Sequence, residues 1–132
     1  MIEHTIELRV RYAETDQMGI VYYSNYLVWF EIARTELFRS KGVEYSRIER
    51  ERDIFLPVTE AYCRYRAPLK YDDIVRITVK VADTGNSRLT FEYDVEKDGK
   101  TASAGYTRHA FVNKNGKPVA IPADIKKLLT MG

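Results

Sequence analysis

The chain has few of the residues on which disulfide-bonded and zinc-binding proteins depend. Among its 132 residues there is one cysteine, Cys63, and there are two histidines, His4 and His109. A single cysteine excludes an internal disulfide, and the two histidines lack the short spacing that zinc ligands show. We therefore expect an inert, buried thiol at Cys63 and no metal site.

Three further classes of protein are disfavoured by what is missing. No apolar run approaches the ~20 residues that cross a bilayer. The 21 Lys and Arg residues nearly balance 19 Asp and Glu residues, with the signs interleaved, whereas nucleic-acid-binding domains carry a clustered positive charge. The first ten residues include Glu3 and lack the basic and apolar blocks of a secretory leader. We expect no membrane span, no nucleic-acid partner and a cytoplasmic location.

What the chain contains is the composition of a globular domain. Hydrophobic residues make up 45% and charged residues 30%, and this length supports one core but divides poorly into two. We therefore predict a single domain that covers residues 1–132. The ten tyrosines are explained more simply by strand propensity than by base stacking.

Hydrophobic spacing predicts one long helix among five strands. Thr5 to Tyr12 alternate between apolar and polar residues, as a half-buried strand does. From Ser24 to Lys41 apolar residues recur every three or four positions, with Ser24 or Asn25 as the cap and Gly42 at the stop. Four more strands are predicted at Phe55 to Arg66, Asp73 to Ala82, Arg88 to Glu96 and Thr101 to Asn113.

Shorter signals complete the predicted fold. Ser46 followed by Glu49 resembles the capping box of a short helix, and Pro122 precedes a short C-terminal helix. Turn pairs such as Asp98-Gly99 favour antiparallel neighbours. One amphipathic helix against such a sheet gives an α+β fold, with a curved antiparallel five-stranded sheet around the helix. Exposed edge strands favour pairing with a second copy.

Three segments resemble the 4-hydroxybenzoyl-CoA thioesterase family, which has the hot-dog fold. They are TDQMGIVYYSNYLVWFEIARTE at 15–36, YRAPLKYDD at 65–73 and HAFVNKNGKPVAIP at 109–122. The resemblance spans nearly the whole chain. It implies a homodimer or homotetramer that hydrolyses an acyl-coenzyme A thioester. It also implies that no cofactor is needed, because coenzyme A is part of the substrate.

The resemblance also assigns roles to particular residues. Asp16 matches the family's catalytic aspartate, and the main-chain amide of Tyr23 matches the group at the helix start that binds the thioester carbonyl. The residues that we further expect to contact the substrate are Gly19, Tyr22, Asn25 and Arg88. Many members have His at the position of Tyr23, and some have several basic residues at the turn where this chain retains only Arg88.

The chemistry of these residues leaves alternatives open. Asp16 precedes a helix N-terminus, whose free N–H groups stabilise developing negative charge. It could attack the thioester, activate water, or merely cap backbone donors. Gly19 suits a turn or a close backbone approach to substrate. Tyr22, Tyr23 and Tyr26 either line an acyl pocket or pack in the core or at an interface. His109 is expected to be structural.

Arginine can grip the phosphates of coenzyme A with two parallel hydrogen bonds. Arg88 is the residue that we expect to do so, and the alternatives are Arg64, Arg66 and Lys70.

Two other functions are compatible with this pattern. One is a non-catalytic acyl-CoA or acyl-carrier binding module, and the other is a hot-dog dehydratase. A dehydratase of this fold needs a histidine with an acidic partner, and neither His4 nor His109 lies in such a motif. The presence of Asp16 favours hydrolysis over both alternatives. The pattern does not specify the acyl group.

Overall fold

Five antiparallel strands and three helices make up residues 1–131, the part of the chain that the computed structural model describes. In chain order the elements are β1 (Glu3–Arg9), α1 (Asn25–Ser40), α2 (Tyr45–Arg52), β2 (Val58–Tyr65), β3 (Ile74–Thr84), β4 (Arg88–Lys97), β5 (Lys100–Ala110) and α3 (Ala123–Thr130). A short 3₁₀ turn at Tyr12–Glu14 lies between β1 and α1. The predicted α+β fold is confirmed.

The strand order differs from the chain order. The sheet runs β1-β3-β4-β5-β2, and every neighbouring pair is antiparallel. Asp98 and Gly99 both have positive φ, as the tight hairpin between β4 and β5 requires. Because the chain crosses from one edge to the other after α1, β2 becomes an edge strand beside β5.

The core lies between α1 and one face of the sheet. Trp29, Phe30, Ala33 and Leu37 recur at helical spacing on α1 and are fully buried. The Phe30 ring stacks on Tyr93 of β4, with centroids 4.1 Å apart and planes at 5°. Burying a side chain of this size stabilises the fold by about 1.5–3 kcal/mol.

Gly105 allows β2 and α1 to pack closely on β5. A Cβ built on this residue would lie 2.1 Å from the carbonyl oxygen of Tyr62 and 3.0 Å from Cε2 of Phe30. Any side chain would therefore push the edge strand or the helix away. The missing side chain brings β2 close to the start of α1.

The predicted boundaries of α1 are correct to within one residue. Gly42 ends the helix with φ of +79°, its N–H donates to the Arg39 carbonyl at 3.0 Å, and the N–H of Val43 donates to the Phe38 carbonyl at 2.9 Å. This is a Schellman ending. The predicted side-chain cap is wrong, since Ser24 makes no capping hydrogen bond and the side-chain amide of Asn25 donates to the Glu14 carbonyl instead.

Strand β1 ends earlier than predicted. Its last residue is Arg9, and Tyr12 is 77% exposed with its ring against Tyr71 at 5.6 Å. The chain turns here because the Glu14 carboxylate accepts a hydrogen bond from the main-chain N–H of Arg11 at 2.8 Å. The turn removes Tyr12 from the strand that its alternation predicts.

Other predicted ends also move. Helix α2 begins at Tyr45 with Glu44 as its N-cap residue, so the capping box predicted at Ser46 is wrong. Strands β2 and β5 are shorter than predicted because Phe55 and Val112 form an isolated bridge outside both strands. The C-terminal helix forms as predicted, one residue after Pro122.

A buried polar chain lies under α1 and ends at His109. The Nδ1 atom of His109 lies 3.0 Å from the Leu56 carbonyl, which only accepts, so neutral His109 donates there. Nε2 then accepts from the Thr107 hydroxyl at 2.8 Å, and Tyr93 donates to Thr107 at 2.6 Å. Arg34 reaches the Tyr93 oxygen at 3.4 Å. His109 is thus a satisfied structural residue, as expected.

This chain of hydrogen bonds makes stability depend on pH. Burial lowers the pKa of His109 to about 4, against about 6.5 in an unfolded chain. Because the folded pKa is the lower one, stability is complete above pH 6.5 and is lost as the pH falls towards 4. We expect this residue to reduce the free energy of unfolding by roughly 3 kcal/mol between pH 7 and pH 4.

Urea unfolding at several pH values measures this loss. A His109→Gln variant keeps a polar side chain but cannot take up a proton, so its unfolding should vary less with pH over this interval. If the wild type and the variant show the same pH dependence, the buried histidine does not cause the effect.

Candidate active site

The site is built around a buried carboxylate that sequence reasoning missed. Glu14 is 5% exposed. Its Oε1 accepts from the main-chain N–H of Arg11, and its Oε2 accepts from the indole N–H of Trp29, both at 2.8 Å. The Arg11 guanidinium lies 3.7 Å from Oε2. Because both oxygens are paired, their hydrogen bonds offset the desolvation cost of burying the carboxylate.

The main chain of Glu14 also holds the start of α1. Its carbonyl accepts from the N–H of Tyr22 and from the side-chain Nδ2 of Asn25, both at 2.9 Å. We expected Asn25 to contact substrate, but its side-chain amide nitrogen instead holds the loop in place. One signal for this anchor was available: a buried Trp N–H usually finds a partner, and Trp29 is the chain's one tryptophan.

Asp16 lies in a tight turn, and one of its two carboxylate oxygens has no partner among the described residues. Its main-chain N–H donates to the Ile20 carbonyl and its carbonyl accepts from Gly19, both at 2.9 Å. Its Oδ1 accepts from the N–H of Met18 at 2.8 Å. Within residues 1–131 its Oδ2 has no hydrogen-bond or ion-pair partner. Asp16 therefore caps a backbone donor with one oxygen, and its other oxygen is unpaired among the described residues.

Gly19 has a φ of +79°, which few residues other than glycine adopt readily. It does not line the groove that contains Asp16. The geometry therefore explains Gly19 as the turn residue that shapes the Asp16 loop.

The main chain at Tyr23 offers a free donor. Among the described residues no group accepts a hydrogen bond from its N–H. The peptides on both sides are held: the Tyr22 carbonyl accepts from the N–H of Asn25 at 3.0 Å, and the Tyr23 carbonyl accepts from Tyr26 at 3.3 Å and from the Tyr65 hydroxyl at 3.0 Å. A fixed, unpaired N–H at the positive end of a helix suits binding of an oxyanion.

Asp16 and Tyr23 line one open groove with a volume of about 510 Å³. The loop before α1 forms one wall, and the end of β2 with the following loop forms the other. Its remaining lining residues are Ile20, Val21, Tyr22, Tyr26, Tyr65, Arg66, Ala67 and Pro68. The groove is mostly apolar, and the carboxylate and the helix N-terminus lie along the same wall.

Tyrosines dominate the groove. The exposed rings of Tyr22 and Tyr23 lie 4.7 Å apart, and the Tyr23 phenol raises the pKa of Tyr22. Burial raises the pKa of Tyr26 and of Tyr65 to about 12. The shifted phenols of Tyr22, Tyr26 and Tyr65 are therefore neutral donors at pH 7. Tyr26 also packs on Trp29 at 5.1 Å, so it serves both the core and the groove.

Arg88 is not brought to this groove within one chain. It is the first residue of β4 and lines a separate groove with Glu60, Asp83 and Arg108. Arg66 is the cation among the lining residues of the Asp16 groove. Five of the six expected residues therefore lie in the groove or in the loop beside it, and Arg88 lies apart. The five are Asp16, Gly19, Tyr22, Tyr23 and Asn25.

Neither a metal site nor a membrane-spanning helix is found in the part of the chain that the structure describes. Across residues 1–131 no three His, Cys, Asp or Glu side chains are grouped as metal ligands. No helix of that part of the chain is long and apolar enough to cross a bilayer.

The Cys63 thiol is only partly buried and lies 3.1 Å from the Ser103 hydroxyl, which donates to the Arg64 carbonyl at 3.0 Å.

Sequence comparisons identify a family of thioesterases. The model of the thioesterase-like superfamily matches residues 10–129. A relative from Aquifex aeolicus, provisionally named as an esterase, is 40% identical over 121 residues, which are 92% of this chain and 93% of its own. The acyl-CoA thioesterase YbgC of Haemophilus influenzae is 29% identical over 120 residues, 90% of this chain and 88% of its own.

Solved structures agree with the sequence matches. The DHNA-CoA thioesterase of Staphylococcus aureus is 29% identical with a TM-score of 0.91, over 97% of this chain and 89% of that one. A 4-hydroxybenzoyl-CoA thioesterase gives a TM-score of 0.90 at 20% identity, over 97% and 99% of the two chains. At that identity the likeness concerns the fold alone, and it confirms the expected hot-dog architecture.

The Glu14 anchor can be tested by one isosteric change. Glu14→Gln places an NH₂ group against one of the two N–H donors, so a buried hydrogen bond is lost. We expect the free energy of unfolding to fall by about 1–3 kcal/mol in urea titrations. Glu7→Gln, on the exposed face of β1, is the matched control and should stay within about 0.5 kcal/mol of the wild type. Equal stability of the two variants would contradict the anchoring role.

Proposed function

We propose that this chain, which belongs to the thioesterase-like superfamily and is an acyl-CoA thioester hydrolase, cleaves its substrate with Asp16 and the main-chain N–H of Tyr23. One observation carries the proposal: Asp16 and Tyr23, which have an unpaired carboxylate oxygen and an unpaired main-chain N–H among residues 1–131, line the same groove. The relatives from Haemophilus influenzae and Staphylococcus aureus, both named as CoA thioesterases, support this chemistry.

In the proposed reaction the thioester carbonyl oxygen accepts a hydrogen bond from the Tyr23 N–H. As a nucleophile adds to the carbonyl carbon, negative charge develops on that oxygen, and the N–H together with the positive end of α1 stabilises it. The tetrahedral intermediate then collapses, the C–S bond breaks, and coenzyme A leaves as a thiolate. A thiolate is a good leaving group, so the proposed reaction requires no metal or redox cofactor.

Two routes for Asp16 are consistent with its free Oδ2. In the first, Oδ2 attacks the carbonyl carbon, expels the thiolate and forms a mixed anhydride that water hydrolyses. In the second, Oδ2 takes a proton from water, and the water oxygen attacks. Either route consumes one water and yields a carboxylic acid and free coenzyme A. The Met18 N–H on Oδ1 would hold the carboxylate in place during both.

The other expected residues take supporting roles in this proposal. Tyr22 forms part of the wall against which the acyl group lies. Gly19 and Asn25 act through the protein, Gly19 by shaping the turn that carries Asp16 and Asn25 by tying the helix start to Glu14. A binding module without turnover is less favoured, because it would not require an unpaired carboxylate oxygen and an unpaired N–H on residues that line one groove.

We further propose a homodimer or homotetramer in the cytoplasm as the working form. Strand β2 pairs with β5 on one side only, and it exposes the large side chains of Val58, Tyr62 and Tyr65. A second copy that adds its own edge strand would pair the free backbone N–H and C=O groups of β2 and would cover these side chains. In such an assembly Arg88 of one copy would bind the coenzyme A phosphates of substrate in another copy's groove, with Arg66 as the alternative from the same chain.

Asp16→Asn is the direct test of the carboxylate. The change keeps the shape and the hydrogen bond from Met18 but removes the basic and nucleophilic oxygen. We expect kcat in a thiol-release assay over short, long, branched and aromatic acyl-CoAs to fall by at least about a hundredfold, while substrate still binds. Asp98→Asn, in the β4–β5 turn, is the control. Near-normal turnover, with deamidation excluded by mass spectrometry, would eliminate this role.

Tyr23 provides the matching test of the N–H. Tyr23→Phe keeps the donor and should retain most activity. Tyr23→Pro deletes the donor at a position just before the helix, where proline is tolerated. We expect it to lose about 10²–10³-fold in kcat, as for other oxyanion donors, provided that circular dichroism shows a folded chain. Equal inactivity of the two variants would show that the hydroxyl is the working group.

A further inference from the structure

Tyr65 joins the edge strand to the start of α1. It is the last residue of β2, and its hydroxyl donates to the carbonyl oxygen of Tyr23 at 3.0 Å. The same carbonyl accepts from the N–H of Tyr26 at 3.3 Å, which is long for a hydrogen bond of this type. Tyr65 therefore supplies the shorter of the two bonds that fix this carbonyl.

Although Tyr65 is 46% exposed, packing and backbone contacts restrict the position of its phenol. Its ring packs edge-on against Tyr26, with centroids 5.0 Å apart. Its main chain pairs with Ser103 of β5, and the next residue, Arg66, donates its N–H to the Ala102 carbonyl at 2.9 Å. A donor fixed by its ring and by its backbone can orient the group that it binds.

The direction of this hydrogen bond follows from the chemistry of its partners. A carbonyl oxygen only accepts, so the Tyr65 phenol must carry its proton. Burial, followed by the neighbouring Cys63 thiol, raises the pKa of Tyr65 to about 12. The donor therefore persists throughout the pH range in which thioesters can be assayed.

We propose that Tyr65 is a positioning residue for hydrolysis, which fixes the Tyr23 carbonyl and thereby holds the Tyr23 N–H towards the substrate's carbonyl oxygen. The N–H and the carbonyl of Tyr23 belong to adjacent peptide groups that meet at one Cα. Fixing the second peptide restricts rotation of the first, which the Asn25 N–H also holds. The inference rests on the proposed function, because it gives Tyr65 a role only through the oxyanion donor.

The activity test uses Tyr65→Phe, which keeps the ring against Tyr26 and removes the hydroxyl. We expect kcat to fall by about 3–10-fold, the range for one lost hydrogen bond, with KM changed less than about twofold. Tyr62→Phe, on the same strand, is the control and should behave as the wild type. Unchanged kcat in Tyr65→Phe, or a loss seen only in KM, would overturn the proposal.

A double-variant comparison shows whether Tyr65 acts through Tyr23. In the Tyr23→Pro background the donor is gone, so adding Tyr65→Phe should reduce kcat by less than about twofold. If the two losses instead multiply, Tyr65 contacts the substrate directly and the positioning role is wrong.

The bond can also be observed without any activity measurement. Labelling Tyr carbonyl carbons and Ser nitrogens selects two peptides, Tyr23-Ser24 and Tyr45-Ser46. In Tyr65→Phe the Tyr23 carbonyl signal should shift, while that of Tyr45 should not. An unshifted Tyr23 signal would overturn the proposal even if activity fell. A wild-type protein without turnover on any acyl-CoA would instead overturn the proposed function, whatever the signals show.

Discussion

The buried bond between the Glu14 carboxylate and the Trp29 indole is the constraint on which the site depends. Trp29 lies in the first half of α1 and is fully buried against the sheet, so its position is set by the core. The hydrogen bond to Trp29 fixes Glu14 relative to the core. The Glu14 carbonyl in turn accepts hydrogen bonds from Tyr22 and Asn25, which fixes the loop before α1. The loop that carries Asp16 is thereby fixed relative to the same core that stabilises the fold.

Some polar groups of the loop before α1 are hydrogen-bonded within the chain, and others are not. The hydrogen bonds that shape the loop use both oxygens of Glu14 and one oxygen of Asp16. Oδ2 of Asp16, an acceptor, and the N–H of Tyr23, a donor, have no hydrogen-bond partner among residues 1–131. In the proposed reaction these two act on opposite ends of the same carbonyl bond. Rigid surroundings allow them to do so without reorganisation.

Much of the fold could be predicted from the sequence, because helices and strands leave local patterns. The spacing of Phe30, Ala33 and Leu37 defined α1, and Gly42 defined its end. The edge position of β2 could not be predicted from periodicity, since strand order is set by contacts between distant segments. Tyr12 was misplaced because a carboxylate three residues later turns the chain out of the strand.

Some residues of the candidate site could likewise be predicted from the sequence, and others could not. Asp16 and the Tyr23 amide came from the family resemblance, and the structure joins them in one groove. Glu14 and Tyr65 were missed because their partners, Trp29 and Tyr23, are 15 and 42 residues away. Hydrogen bonds over such separations leave no pattern in a single sequence.

A crystal structure with a substrate analogue would test the central claim most directly. In a ketone analogue of acyl-CoA, a methylene group separates the carbonyl from sulfur, so the compound binds but cannot be cleaved. We predict a carbonyl oxygen about 3 Å from the Tyr23 nitrogen, and a carbonyl carbon within about 3.5 Å of either Oδ2 of Asp16 or a water that is hydrogen-bonded to it. An acyl group bound in another groove, or a carbonyl oxygen directed away from the helix N-terminus, would contradict it.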